Sequence, residues 1–91
     1  MKRIEDLDIQ KNGRPCIYKI ENIINKKVYI GSAIGHYVRK GQHFYLLRNN
    51  KHFNKHLQSS WNKYGENNFK FEVLEFITNL EDLKSKEEYY K

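Results

Sequence analysis

The feature that most constrains this chain is a pair of short tyrosine-bearing segments separated only by Glu21–Lys26. Residues 16–20 read Cys-Ile-Tyr-Lys-Ile, and residues 27–31 read Lys-Val-Tyr-Ile-Gly. Both alternate apolar with polar side chains and carry β-branched residues, the period-two signature of short strands. The polar segment between them reads as a turn, so the two strands form an antiparallel hairpin. Pairing Ile20 with Lys27 sets Tyr18 opposite Tyr29 and puts both rings on one face.

Arg39 and His43 follow at a four-residue separation, which on a helix places both on one side. A first helix is expected over Tyr37–Arg48, with Tyr37, Val38, Phe44 and Leu47 as its apolar contacts, although Gly41 within it costs about 1 kcal/mol against alanine. Beyond the polar loop Arg48–Lys51, a second helix runs from Asn54 to Tyr64, capped by Asn54 and stopped by Gly65. Its stripe is Phe53, Leu57, Trp61 and Tyr64. A third strand spans Phe69–Phe76, where Leu74 interrupts the alternation and marks either a bulge or a doubly buried end. Thr78-Asn79-Leu80-Glu81 reads as a capping box opening a last helix from Leu80 to the end. Leu80, Leu83 and Tyr90 form its stripe, Glu87 falls on the same stripe, and Glu88 points elsewhere. A carboxylate on a core-facing stripe calls for a positive partner.

The expected fold is therefore α/β: a small three-stranded mixed sheet flanked by helices, in the order β-β-α-α-β-α. Residues 15–91 form this single domain. Residues 1–14 are a polar arm, helical or flexible, that closes on the turn chemistry of Asn12-Gly13-Arg14-Pro15.

Composition excludes several classes. Cys16 is the single cysteine, so neither an internal disulfide nor a zinc finger is available. Nothing approaches the roughly 18 apolar residues of a membrane span, and the chain is expected to be soluble and cytoplasmic. The net charge of +6 favours a polyanionic partner.

Cys16-Ile17-Tyr18, Tyr29-Ile30-Gly31, Arg39 with His43, and Lys55-His56-Leu57-Gln58 leading into Trp61-Asn62-Lys63-Tyr64-Gly65 resemble the GIY-YIG nuclease family, and within it the phage homing endonucleases. The resemblance covers residues 16 to about 90. It implies a Mg²⁺-dependent (or Mn²⁺-dependent) DNA endonuclease, acting on double-stranded DNA in a bacterial cytoplasm if phage-encoded. By the same resemblance Tyr18 is the water-activating base, Tyr29 orients it, Arg39 holds the scissile phosphate and His43 assists proton transfer. Glu87, in a Glu-x-aromatic-aromatic context, is the single metal ligand. Mg²⁺ takes oxygen ligands and keeps several waters, so one carboxylate suffices. His52, Lys40, Lys51 and Lys55 are expected to contact DNA, and His52 also matches a histidine found in some homing enzymes.

Two departures bear on activity. Cys16 stands where the family usually has glycine, and the chain stops before a further element that in the family brings an asparagine near the site. The alternative is thus a catalytically weakened GIY-YIG scaffold serving as a nucleic-acid-binding or regulatory module, or one completed by a partner domain or chain. Glu87 would then be a helix acid paired with Lys84, Lys91 or Arg39.

Overall fold

The structure, a computed structural model, describes residues 14–91; the expected arm, apart from Arg14, lies outside the described residues. Strands β1 (Pro15–Asn22) and β2 (Val28–Ile34) form the hairpin. Helices α1 (His36–Arg48) and α2 (Lys55–Tyr64) follow, then β3 (Phe69–Phe76) and, after a short 3-10 turn, helix α3 (Leu83–Tyr90). The element order is the expected one. The sheet, however, is antiparallel throughout and not mixed: its order is β2-β1-β3, with β1 antiparallel to both neighbours. A parallel pair would have required β3 beside β2.

The central position falls to β1 because its side chains are apolar along one face and, at Ile17, on the other as well. Cys16, Tyr18 and Ile20 join Leu47, Leu57, Trp61 and Phe69 in the core under α1 and α2. Ile17, alternating with them, points to the other face, where α3 packs, and is also fully buried. Beyond α3 that face becomes polar, and Lys19 meets Glu21 and Glu72 at 3.1 and 3.5 Å.

The hairpin register differs from expectation. Tyr18 pairs with Gly31, and Ile20 pairs with Tyr29. The cause lies in Asn22, which is buried and whose side-chain oxygen accepts from the Ile24 N–H at 2.9 Å, so β1 runs on and turns later. Because the shift is an even number of residues, Tyr18 and Tyr29 still share a face.

Local signals placed the other elements well. Asn54 caps α2 by accepting from the Leu57 N–H at 2.9 Å, and Gly65 ends it at a φ of 87°. Before the last helix the cap is Asn79 and not Thr78: it accepts from the Glu81 N–H and caps the 3-10 turn Leu80–Asp82, while α3 itself begins at Leu83 with no side-chain cap bond. Leu74 is the extra residue of a bulge, since Tyr18 pairs with Val73 while Ile17 pairs with Glu75. Several side chains expected in the core are instead exposed: Tyr37, Val38, Phe53 and Leu80. His43 and Leu47 are the buried residues of α1.

Candidate active site

Tyr18 fixes the site. Its ring lies across Gly31 of the neighbouring strand and stacks on Phe71 of the other, at 4.8 Å and 19°. A Cβ at Gly31 would stand 2.5 Å from the ring carbon Cζ and closer still to the hydroxyl. The glycine of Tyr-Ile-Gly therefore serves to admit the first tyrosine. Tyr29 stands diagonally, with ring centroids 6.5 Å apart.

Helix α1 supplies the next two groups from one side, as the four-residue spacing requires. Tyr18, Tyr29, Arg39 and His43 line an open cleft of about 390 Å³, together with Gln42, Tyr45, Leu46 and Phe53. The expected gathering of two phenols, a guanidinium and an imidazole is present. The exposed Tyr45 and Phe53 stand at this cleft, which is why they are absent from the core.

His43 is buried and its Nε2 lies 2.6 Å from the Tyr18 hydroxyl. Burial, reinforced by His52 and Arg39, lowers its pKa to about 4, so the imidazole is neutral at pH 7. Tyr18 is pushed up to about 12, by burial first and by the neighbouring Tyr29; Arg39 pulls the other way and Glu87 adds to the rise. The protein groups by themselves thus keep the phenol protonated. Tyr29 is also raised, chiefly by burial and by Glu87.

Arg39 donates from Nη1 to the Ser32 carbonyl at 3.1 Å, which aims its guanidinium across the edge of β2. Ser32 pairs with Ile17 and so belongs to the opposite sheet face from Tyr18. There its hydroxyl donates to Glu87 Oε1 at 2.5 Å, and the other carboxylate oxygen meets Lys91 Nζ at 3.0 Å. Glu87 therefore lies in a second hollow, with Ser32, Leu83, Lys84 and Lys91, adjoining the tyrosine cleft around the edge strand. Leu83, Glu87 and Tyr90 are half-buried on one stripe and Glu88 is exposed, as the spacing predicts. Burial pushes the Glu87 carboxyl up, but the Ser32 hydroxyl and Lys91 outweigh it and hold the pKa below the usual range. An ionised, half-buried carboxylate suits a hard cation that keeps most of its waters. Among the described residues no cluster of three or more acidic, His or Cys side chains forms a closed cage, so the fit is to one carboxylate completed by water and substrate oxygens.

His52 is not a surface contact. It is 5% exposed, with His43 Nδ1 2.7 Å from its Nε2 and the Asn54 N–H donating to its Nδ1 at 3.0 Å. Lys40, Lys51 and Lys55 are exposed. Cys16 is fully buried in the core, and burial raises its thiol pKa, so it packs as a small apolar residue. Sequence reasoning missed Ser32, the link between Arg39 and Glu87, which stands in no pattern that would mark it, and the role of Gln58, whose side chain holds the His52 backbone and whose place in Lys55-His56-Leu57-Gln58 was the signal.

Residues 14–91 match the family model described as the GIY-YIG catalytic domain. The chain belongs to the GIY-YIG family. Intron-associated endonuclease 1 of Enterobacteria phage T4 is 43% identical over 67 residues, 74% of this chain and 27% of that protein. The probable intron-encoded endonuclease 1 of Neurospora crassa is 39% identical over 62 residues, 68% of this chain and 19% of that protein. The GIY-YIG chain thus spans about a quarter or less of the length of these curated relatives. Among solved structures, the catalytic domain of homing endonuclease I-TevI superposes with a TM-score of 0.79 at 35% identity, covering 85% of this chain and 84% of that one. A mutant form of the same catalytic domain gives 0.76 at 36% identity, covering 85% and 79%.

Proposed function

We propose that this chain is the catalytic domain of a DNA endonuclease that hydrolyses a phosphodiester with one Mg²⁺ ion. The observation that carries the reading is the convergence of Tyr18, Tyr29, Arg39 and His43 on one cleft, with the ionised Glu87 adjoining it across Ser32. Tyr18 in its ionised form takes the proton of the attacking water. Arg39 presents a planar fork to the scissile phosphate, where negative charge builds on the non-bridging oxygens. Tyr29 packs against Tyr18 and His43 and keeps both rings oriented. Glu87 would hold the cation, and the chemistry a bound Mg²⁺ supplies is stabilisation of the departing 3′ oxygen. The exposed Lys40, Lys51 and Lys55 would meet phosphates of double-stranded DNA. A soluble cytoplasmic setting accords with the phage-encoded relative.

The test is nicking of supercoiled plasmid by the purified chain with and without Mg²⁺. Metal-dependent conversion to open-circular or linear product supports the reading. Plasmid binding without conversion at any Mg²⁺ concentration would replace it with the binding-module alternative.

A further inference from the structure

Behind the cleft, two buried imidazoles form a line of hydrogen bonds whose direction is set at one end by the backbone. The Asn54 N–H, at the start of α2, donates to His52 Nδ1 at 3.0 Å. A backbone N–H can only donate, so Nδ1 carries no proton and a neutral His52 holds its hydrogen on Nε2. That hydrogen points at His43 Nδ1, 2.7 Å away, which must accept it. The hydrogen of neutral His43 is then on Nε2, 2.6 Å from the Tyr18 hydroxyl oxygen. We propose that His52 is a positioning residue: it locks His43 in the Nε2–H tautomer and so makes His43 a hydrogen-bond donor to the Tyr18 oxygen, not an acceptor for the phenol's proton.

The line is held rigidly. The His52 backbone N–H donates to Gln58 Oε1 at 2.9 Å, and the Gln58 amide donates to the Leu47 carbonyl at 3.0 Å. The two imidazole rings lie edge to edge, within 23° of coplanar and with centroids 4.9 Å apart, as an in-plane N–H···N bond requires, and Phe53 covers His52 at 4.2 Å. With His43 2% and His52 5% exposed, water does not compete for the ring nitrogens. His43 is faced by Tyr18 from β1, Tyr29 from β2, Arg39 from its own helix, and His52 and Phe53 from the loop before α2. None of these is a carboxylate that would reverse the tautomer. The depressed His43 pKa keeps the ring neutral, which the assignment requires.

The consequence for the reaction rests on the nuclease reading above. Tyr18 cannot pass its hydrogen to a nitrogen that already carries one, so the phenol's O–H bond breaks toward the cleft and the proton goes to solvent water. The phenolate left behind keeps the His43 N–H as a donor. It then takes the proton of the attacking water while that water's oxygen bonds to phosphorus, and the 3′ oxygen leaves with the electron pair of its bond to phosphorus and takes a proton from solvent water.

The test compares wild type with His52→Gln, whose amide N–H can still donate to His43 Nδ1, and His52→Glu, whose carboxylate can only accept. Imidazole ¹⁵N spectra of the full chain at pH 7 should show Nε2–H tautomers at both histidines in wild type and at His43 in His52→Gln. In His52→Glu, His43 should switch to Nδ1–H. Plasmid cleavage by His52→Gln should stay within about tenfold of wild type, whereas kcat of His52→Glu should fall by about 100-fold or more with little change in KM, as expected of a wrong-tautomer histidine. The two variants are similar in size, so loss of packing would affect both alike. An Nδ1–H tautomer at His43 in wild type overturns the proposal whether or not DNA is cut. So does equal cleavage by the two variants when the tautomer has switched. Expected tautomers in a wild type that cuts no DNA would count against the nuclease reading and leave the direction of the hydrogen bonds supported.

Discussion

On the face of the sheet beneath α1 and α2, Tyr18, His43 and His52 are 1%, 2% and 5% exposed and joined by hydrogen bonds of 2.6 and 2.7 Å. On the other face, α3 contains no buried residue, and its Glu87 is shared between a serine hydroxyl and a lysine. The first region is part of the core that makes the domain fold. The second is a short helix laid against the sheet, whose charged groups remain open to water. A group that handles a proton gains from neighbours that cannot move. A carboxylate that holds a cation must be reachable by that cation and able to exchange an ammonium for it. The contrast assigns different sensitivities to the two regions: substitutions on the first face should disturb stability and chemistry together, and those on the second should disturb chemistry alone.

The largest expected effect tests the second half of that contrast. Glu87→Gln keeps the shape and removes the charge, so Mg²⁺-dependent cleavage should fall by about 100-fold or more. The melting temperature should hold within a few degrees and DNA binding should persist, while Glu88→Gln should cleave almost as wild type. Plasmid assays at saturating Mg²⁺, with binding and thermal melts in parallel, decide it. Equal cleavage by wild type and Glu87→Gln would remove the one-metal mechanism.

The next effect belongs to the buried face and appears with acid. His43 titrates near its ordinary value of 6.5 when unfolded and at about 4 when folded. Between those values the unfolded chain binds a proton that the native chain refuses, so stability is full above about pH 6.5 and declines as pH falls toward 4. The difference corresponds to a loss on the order of 3 kcal/mol. His52, lowered chiefly by burial, acts in the same direction. Urea unfolding across this range should show the slope in wild type and a shallower one in His43→Gln. Parallel curves would mean that the imidazole titrates freely in the fold.

Gly31→Ala should cost about 2 kcal/mol through overpacking against Tyr18, which Phe71 prevents from yielding. Here cleavage should drop along with stability, the signature expected of the buried face. The smallest effect is a gain. A Cβ at Gly41 meets nothing within 4 Å, so Gly41→Ala should stabilise α1 by up to about 1 kcal/mol. A loss of stability there would contradict a regular helix through that position.

The sequence made legible whatever depends on short-range chemistry. Asn54 and Gly65 bound α2 because a cap oxygen and a left-handed residue act within a turn, and the alternation of Phe69–Phe76 marked a strand whatever it paired with. The shared face of Tyr18 and Tyr29 survived a wrong register because side chains alternate with period two. What stayed hidden was set by tertiary approach. No spacing rule brings His52 against His43, since the loop between α1 and α2 decides it. Nor does hydrophobicity distinguish Tyr45 and Phe53 at a cleft from Trp61 in a core. Ser32 matters through its contacts on either side of an edge strand, which no pattern along one strand records.

The bulge in β3 has a consequence for how this fold tolerates changes in length. Leu74 is inserted between a residue paired with Tyr18 and one paired with Ile17, so deleting it would leave a regular ladder with every partner on both sides unchanged. Deleting Val73 or Glu75 instead forces a neighbour into the vacated place. Leu74 would then stand opposite Tyr18 in place of Val73, or opposite Ile17 in place of Glu75, where the carboxylate that accepts from Tyr90 would be lost. The strand thus has one position of slack, which lets its two ends be fitted to opposite faces independently: one to the ring of the candidate base, the other to the helix that carries Glu87.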